Sequence, residues 1–456
     1  MPHRPFPLKH PNLIRQLDVT GATALVVSNM IGTGVFTAGG YLASHLGDAR
    51  IILLAWLVGA ICALFGSFCY SELGVNFPAS GSEYVYLTRA YGPTWGFMSG
   101  WVSFFAGFSA PIAAAALAFA DYLSAFFPAL RDASHGAPQS VAAGVIALFT
   151  LLNCYGIRRA ASIQKVLTGA SLAVIVAFIV AGFISGAGTW SNFTTPAVRT
   201  SPVSIGASFF ISLLFIYVSY SGWNAATYVA EEVQQPSRTL PVALTLGTAI
   251  VATLYIALNA VFIYGTPLES MKGVIAVGSL AASSLFGPNV GRVFSLLVAI
   301  ALVSTVSAMV TIGPRLYYAM AKNGAFFSIA AKVDDRRHTP VVAILCQGIC
   351  AMLMTVMPFG QLFLYIGFTL NFFAVLSVIS LFVFRRRQGW HKLRVVSFAF
   401  PLVPAFFILV GVSMTIWGIV QQPLPSLAGA LTVAAGAITY HLRSRAHDNE
   451  TALGRV

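Results

Sequence analysis

The sequence predicts an all-α membrane protein with about twelve transmembrane helices, and two properties of the chain support this. Of its 456 residues, 57% are hydrophobic and only 9% are charged, with a mean hydropathy of +0.82. Soluble domains usually contain roughly 25% charged residues, so a water-soluble globule is excluded. Apolar stretches of about 20 residues recur along the chain, which is the length an α-helix needs to cross roughly 30 Å of hydrocarbon.

Hydropathy and chain breakers together divide the chain into candidate spans. The twelve candidates are residues 22–43, 51–76, 95–127, 139–156, 163–186, 203–230, 240–265, 291–320, 340–357, 361–384, 396–418 and 425–442. An even number of spans places both termini on the same side of the membrane. No small-residue cleavage site follows the first apolar stretch, so residues 1–21 are expected to remain as a tail.

The distribution of basic residues predicts which side faces the cytoplasm. With both termini inside, 21 of the 26 Lys and Arg residues lie inside, and five lie outside, namely Arg50, Arg131, Arg199, Lys272 and Arg292. This bias follows the positive-inside rule. We therefore expect a multi-pass protein of the plasma (inner) membrane with cytoplasmic tails at residues 1–21 and 443–456.

Several function classes are disfavoured by the same residues. The pI is near 9.7, but the basic residues lie in loops without an aromatic platform, so the lipid bilayer is the expected partner and nucleic acid is not. All eight histidines fall in tails, loops or span ends and no H-E-x-x-H pattern occurs, so an enzyme is not expected. A channel would need a selectivity filter or rings of charge, and a sensor usually has an attached signalling domain.

Two spans contain small and polar residues in the middle, at 28–34 (SNMIGTG) and 218–224 (VSYSGWN). Glycine costs a helix about 1 kcal/mol relative to alanine, and Ser and Asn compete for backbone hydrogen bonds. Lipid cannot satisfy the backbone groups that a break frees, so a broken helix must line a cavity. Interrupted spans in matching positions predict a transporter of inverted repeats at 22–186 and 203–384, followed by two further spans at 396–442. The alternative is that Gly32 and Gly34 are close-packing contacts.

The residues of the two breaks suit a zwitterion. The N–H groups of Thr33 and Gly34 begin a half-helix, whose N-terminus favours a carboxylate, and a side chain at Gly34 would occupy their approach. An ammonium group can donate hydrogen bonds to the carbonyls of Met30, Val218 and Ser219 and to the hydroxyl of Ser221. The predicted substrate site is Met30, Gly32, Thr33, Gly34, Val218, Ser219 and Ser221.

Three ordered motifs also resemble a known family. They are Gly32-Thr33-Gly34-Val35-Phe36, then Glu72-Leu73-Gly74 with Pro78, Gly81, Glu83, Tyr84, Tyr91 and Gly92, and then Tyr220-Ser221-Gly222-Trp223-Asn224 with Glu231-Glu232, Pro236, Arg238, Leu240 and Pro241. Together they resemble the amino acid, polyamine and organocation (APC) superfamily, most closely its L-type amino acid transporter branch. The resemblance implies a LeuT-type fold of two inverted five-helix repeats with two extra C-terminal helices, and secondary active transport of amino acids by alternating access.

The chain departs from the family at two positions. A lysine that many members carry in the fifth span is replaced by Ser171, and the aromatic gate of the sixth span falls on Val218. Tyr217, Tyr220 or Trp223 is the expected replacement for the gate.

A possible ion site follows from the same resemblance. Ala301, Ser304 and Thr305 resemble the A-x-x-[ST]-[ST] pattern of sodium-coupled relatives, whose other ligands map onto the carbonyls of Ser28 and Ile31. Na⁺ is therefore the one cofactor expected, as a coupling ion. The alternative is that Ser304 and Thr305 bond back to their own helix.

The charged residues favour neutral substrates. Glu72 and Asp121 lie near span ends, so a dibasic or polyamine substrate would lack a counter-charge at mid-membrane. We expect transport of neutral L-amino acids with sodium as the candidate coupling ion, and the alternative is a proton-coupled or exchange-type amino acid or polyamine permease. The external loop 128–138 lacks the cysteine that links animal relatives to a heavy chain, so no disulfide-linked partner is expected.

Overall fold

The computed structural model describes residues 15–127, 130, 136–155, 160–322, 326–333 and 339–453, and most of these residues are helical. Within this part of the chain, nine helices are long and apolar enough to cross a membrane. Val19–Met30 and Thr33–Leu46 together form a tenth, bent by 41°. The other two predicted spans contain the shorter apolar helices Ile205–Tyr220 and Val341–Met354. The predicted all-helical architecture is confirmed.

The spans are numbered in chain order, and the halves of spans 1 and 6 are called 1a, 1b, 6a and 6b. Spans 1 to 12 are Val19–Met30 with Thr33–Leu46, Ala49–Asn76, Pro93–Phe126, Ala137–Cys154, Ala160–Ile184, Ile205–Tyr220 with Ala225–Tyr228, Pro236–Gly265, Pro288–Lys322, Val341–Met354, Phe359–Phe384, Leu402–Gln421 and Pro423–Leu453. Short helices connect some of them, at Glu83–Tyr91, Leu268–Met271, Val277–Phe286 and Arg394–Ser397. Most predicted boundaries agree within a few residues, but span 12 continues into the predicted C-terminal tail.

Several of these helices begin at a residue whose side chain caps the first turn. The Asp18 carboxylate accepts a hydrogen bond from the N–H of Gly21 at 2.7 Å, and Asp48 accepts one from the N–H of Arg50 at 2.8 Å. Such caps satisfy backbone donors that have no partner within the helix, and each stabilises a helix by about 1 kcal/mol. Spans 1 and 2 therefore begin where the sequence supplies an aspartate.

Span 3 has a backbone irregularity that the sequence did not predict. Residues Ser103–Ser109 form a π-helical segment between two α-helical parts. The Tyr317 hydroxyl of span 8 donates a hydrogen bond to the Ser103 carbonyl at 3.2 Å. Segments of this kind are rare and often lie at functional sites, and this one contributes Ser103 to a cavity described below.

The amphipathic sequence of the short helix Glu83–Tyr91 predicts an interfacial helix on the inner face of the membrane. In the structure, Glu83, Val85, Tyr86 and Leu87 are buried. The start of the helix is therefore packed among the spans, and its place at the membrane surface stays a prediction. The consequence is that a carboxylate from outside the spans reaches the interior.

Candidate functional site

Both predicted helix breaks are present. Span 1a ends at Met30 and span 1b begins at Thr33, with Ile31 and Gly32 in extended conformations between them. Span 6a ends at Tyr220, and residues 221–224 form a turn before span 6b. The N-cap residue of span 1b is Gly32, which has no side chain to cap the helix, so this N-terminus is suited to an anionic ligand.

The two breaks contact each other through glycines. A Cβ atom placed on Gly34 would overlap the Cα and Oγ atoms of Ser219. Gly222 has a φ of 104°, which disfavours other residues, and a Cβ there would lie 2.6 Å from the carbonyl group of Asn29. In the structure, Gly34 is a close-packing contact between spans 1b and 6a, which agrees with the alternative interpretation of this glycine, and its place on the approach to the substrate stays a prediction.

Tyr255 of span 7 bridges the two sides of the first break. The Tyr255 hydroxyl donates a hydrogen bond to the Met30 carbonyl at 2.6 Å, and the backbone of Gly32 hydrogen-bonds to the same hydroxyl. At the second break, the Val218 carbonyl accepts a hydrogen bond from the Ser221 N–H at 3.1 Å. Met30 and Val218 were both assigned to the substrate ammonium, and each carbonyl retains one further lone pair for it. Ser219 is buried, and its hydroxyl bonds back to Phe215.

A small cavity lies between spans 1, 5 and 8, and we call it the ion cavity. Its volume is about 20 Å³, which suits one water-sized particle. The cavity is lined by Ile31, Gly32, Phe36, Thr168, Ser171, Ala301, Leu302, Ser304 and Thr305. The ion cavity therefore contains all the predicted ion ligands except Ser28. It also contains Ser171, the residue that replaces the family's lysine.

Two hydroxyls of the ion cavity bond to their own helices. Thr305 donates to the carbonyl of Ala301 at 3.2 Å, and Ser171 donates to the carbonyl of Leu167 at 2.9 Å. The Ser28 hydroxyl likewise donates to Leu25 at 3.0 Å. These contacts match the alternative interpretation in which the hydroxyls are ordinary helix residues, although a hydroxyl oxygen that donates can still accept a cation.

A second cavity of about 60 Å³ lies beside the span 6 break, and we call it the side cavity. It is lined by Glu83, Ser99, Val102, Ser103, Tyr217, Ser221, Gly222, Trp223, Asn224, Tyr228, Leu370 and Phe373. Two of the three gate candidates, Tyr217 and Trp223, therefore line a cavity. Tyr220 lines neither, because its ring is buried between Trp56 and Tyr255.

Sequence reasoning missed Glu83 as a residue of this site. Glu83 is 8% exposed, and its carboxylate accepts hydrogen bonds from the Tyr70 hydroxyl at 2.9 Å, from the Asn224 amide at 2.7 Å and from the Tyr228 hydroxyl. Burial, and then the nearby Glu83 carboxylate, raise the pKa of the Tyr86 hydroxyl. Neutral substrates were predicted from the carboxylates at span ends, and Glu83 is a buried carboxylate that this prediction did not include. The motif Gly81-Ser82-Glu83, at the start of an amphipathic helix, was the available signal.

Contacts between spans lie on both sides of the two breaks. At one face, which we call the aromatic closure, four rings stack with centroids 4.6 to 6.1 Å apart, those of Tyr41, Phe215, Phe359 and Phe363. At the opposite face, backbone hydrogen bonds join residues 16–17 to 232–234, and further bonds join residues 80–83 to 224–231. We call these contacts the N-side clamp. The cavities hold one to a few waters, which is less space than a whole amino acid needs.

The comparisons with known proteins identify the family. Its sequence model, described as amino acid permease, matches residues 17–440. The chain belongs to the amino acid permease family. The resemblance inferred from the three motifs is thereby confirmed, and both breaks lie within the matched part of this permease.

Three relatives illustrate the similarity. The chain is 27% identical to the b(0,+)-type amino acid transporter 1 of Mus musculus over 447 residues, or 95% of this chain and 89% of the relative. It is 26% identical to the large neutral amino acids transporter small subunit 2 of Mus musculus over 442 residues, 94% and 81% respectively. It is 29% identical to the serine/threonine exchanger SteT of Bacillus subtilis (strain 168) over 406 residues, 87% and 89%. All three are transporters by name, so this permease belongs with transport proteins of the membrane and not with enzymes.

Proposed function

We propose that this permease carries small neutral L-amino acids across the membrane by alternating access, with the substrate held between the breaks of spans 1 and 6. The observation that supports this most directly is the contact between the two breaks, where Gly34 at the start of span 1b packs against Ser219 and Gly222 packs against Asn29. That N-terminus suits the substrate carboxylate, and the remaining lone pairs of the Met30 and Val218 carbonyls suit its ammonium group. The similarity to amino acid transporters supports the same substrate class.

Closure at both faces supports alternating access. A substrate enters only when the aromatic closure or the N-side clamp opens, and separation of span 1b from span 6a then makes room for it. Because the aromatic closure and the N-side clamp involve different contacts at opposite ends of spans 1 and 6, one can open while the other remains formed.

Counterflow in proteoliposomes tests this function. We expect saturable uptake of one or more labelled neutral amino acids that is accelerated by unlabelled amino acid inside the vesicles. Uptake that rises linearly with concentration and shows no counterflow would instead indicate a channel, and the proposal would fail.

We propose, secondly, that Na⁺ binds in the ion cavity and drives uptake. The support is that Ile31, Ala301, Ser304 and Thr305 converge on a space of about 20 Å³ without a lysine at Ser171. Oxygen ligands without a carboxylate suit a monovalent ion, and unwound backbone of this kind coordinates ions in other transporters. Proton coupling or exchange is the alternative, and the similarity to a serine/threonine exchanger supports exchange.

The double change Ser304→Ala and Thr305→Ala tests the sodium proposal. We expect the sodium concentration needed for uptake to rise by at least about tenfold, because two ligands worth about 1 kcal/mol each are lost. Ser171→Lys should make uptake sodium-independent or abolish it. The control is Ser295→Ala, which removes a hydroxyl of span 8 that bonds to Ser279 and does not line the cavity. Equal uptake by the parent protein in sodium-free choline buffer would show that the ion cavity is not a coupling site.

The orientation belongs to the same proposal. We place both termini in the cytoplasm and the protein in the plasma (inner) membrane, supported by the 21 of 26 basic residues on that side of the predicted topology.

A further inference from the structure

The side cavity contains a carboxylate that no described basic residue neutralises. Glu83 takes no part in the ion pairs of the described residues, such as Glu269 with Lys272 and Glu72 with Arg385. The groups that donate to Glu83 are the phenols of Tyr70 and Tyr228 and the amide of Asn224, and all three are neutral. Removing an ionised carboxylate from water costs several kcal/mol unless a cation compensates it, so this cavity is suited to a positively charged ligand.

The turn before Glu83 fixes the carboxylate in this position. Ser82 has a φ of 46°, a conformation that costs a non-glycine residue about 1–3 kcal/mol. The Ser82 hydroxyl lies 2.8 Å from the Thr227 hydroxyl, and the Gly81 N–H donates to the Tyr228 carbonyl at 3.2 Å. Span 6b therefore holds the turn, and the turn directs Glu83 towards the span 6 break.

The rest of the lining also suits a cation. The rings of Tyr217, Trp223 and Tyr228 line the cavity, and aromatic faces attract ammonium groups. The hydroxyls of Ser99 and Ser103 supply further acceptors. The lining includes no Lys, Arg or His. The volume of about 60 Å³ holds a few waters, which the ammonium end of a side chain can displace.

We propose that the side cavity binds a primary ammonium group at the end of the substrate side chain, so that Glu83 extends the substrate range to cationic amino acids such as lysine. This inference rests on the proposed function, because the substrate backbone must first bind at the two breaks. Ser221 and Gly222 belong to the span 6 break and also line the side cavity, so a side chain that leaves the break enters the cavity directly. Glu83 is then a specificity-determining residue.

The test compares L-lysine with L-norleucine, which has the same four-carbon side chain without the ammonium group. Each competes with a labelled neutral amino acid in proteoliposome counterflow, with the parent protein, Glu83→Gln and the control Glu269→Gln. The control also removes a carboxylate, but Glu269 is exposed, pairs with Lys272 and does not line the cavity. We expect lysine to compete for transport by the parent protein. In Glu83→Gln, the lysine concentration needed for half-maximal competition should rise by at least about tenfold, while that of norleucine changes by less than about twofold. Glu269→Gln should leave both concentrations unchanged.

Three results would overturn the inference. The first is that lysine does not compete for transport by the parent protein. The second is that Glu83→Gln weakens competition by lysine and by norleucine equally. The third is that Glu83→Gln removes the pH dependence of norleucine transport without any effect on competition by lysine. The last would assign Glu83 to proton coupling. If Glu83→Gln does not fold, the melting temperature of the parent protein is measured with each amino acid instead. Stabilisation by norleucine but not by lysine would also overturn the inference. If no amino acid stabilises or exchanges, the proposed function itself fails.

Discussion

At the scale of single residues, the breaks are defined by contacts that only small side chains permit. Gly34 packs against Ser219, and Gly222 packs against Asn29. Gly32, by contrast, has open space around it and lines the ion cavity, although the sequence assigned it to the substrate site. Glycines within a few residues of each other therefore differ in function, and the difference depends on which neighbour each one faces.

Gly34→Ala is expected to destabilise the permease. The added Cβ would overlap the backbone of Ser219, so spans 1b and 6a must move apart. Overpacking of this kind costs about 1–3 kcal/mol. The measurement is the melting temperature of the purified protein in detergent. Gly144→Ala is the matched control, because a Cβ there meets nothing within 4 Å and alanine favours the helix. A Gly34→Ala protein as stable as the parent would contradict the close contact.

Tyr255→Phe is expected to destabilise the permease. The change removes the hydroxyl that donates to Met30 and leaves that buried carbonyl without this partner, at a cost of about 1–3 kcal/mol. The melting temperature of the purified protein in detergent should therefore fall, and by more than in the control variant. Tyr220→Phe is the control, since its hydroxyl bonds to the Trp56 carbonyl at 3.3 Å within the same aromatic cluster. If both variants behave alike, the effect does not come from the span 1 break.

At the scale of elements, a buried ion pair joins the ends of spans 2 and 10. Arg385 donates to both carboxylate oxygens of Glu72, at 2.7 and 2.6 Å, and Trp390 donates to the same carboxylate at 2.8 Å. The side chains are 0% and 8% exposed for Glu72 and Arg385. Arg385 therefore has a structural role that its neighbours Arg386 and Arg387, both exposed, do not share.

Arg385→Leu is expected to lower the melting temperature strongly. It leaves Glu72 buried without its cation, and breaking a buried pair in this way costs about 3–5 kcal/mol. The additional change Glu72→Leu should restore part of the lost stability, because the uncompensated charge is then removed. Arg386→Ala is the control and should melt within a few degrees of the parent. An equal loss from Arg385→Leu and Arg386→Ala would show that general surface charge matters and the ion pair does not.

At the scale of the whole molecule, the aromatic closure and the N-side clamp lie at opposite ends of the broken spans. Tyr41 and Phe215 belong to the same two spans whose other ends are held through residues 16–17 and 224–234. Movement of span 1 relative to span 6 therefore alters both faces, and this geometry underlies the proposed transport cycle.

A non-reducing gel of the protein from its native membrane is expected to show no disulfide-linked partner. All five cysteines lie within spans, namely Cys62, Cys69, Cys154, Cys346 and Cys350. Most of the external loop 128–138, on which this prediction depends, lies outside the described residues, but it contains no cysteine. A heterodimer that dissociates on reduction would refute the prediction.

The amino-acid sequence by itself determined the number and position of the spans, and the location of both breaks. Helix formation in lipid depends on local composition, because each helix satisfies its own backbone hydrogen bonds, and Gly32 or Gly222 weakens a helix wherever it packs. The repeat boundaries 22–186 and 203–384 were also inferred from sequence and stay a prediction.

Only the tertiary structure decided which backbone groups of the breaks already have hydrogen-bond partners, and that the Glu83 carboxylate lies beside the span 6 break. Tyr255 reaches Met30 across 225 positions of the chain, and Glu83 reaches Asn224 across 141. Such pairs depend on the angles at which helices pack and on the reach of individual side chains, and neither leaves a periodic pattern in the sequence. The carboxylate of Glu83, which lies outside the spans, was therefore not predicted as part of the site, whereas the apolar spans around it were predictable from composition alone.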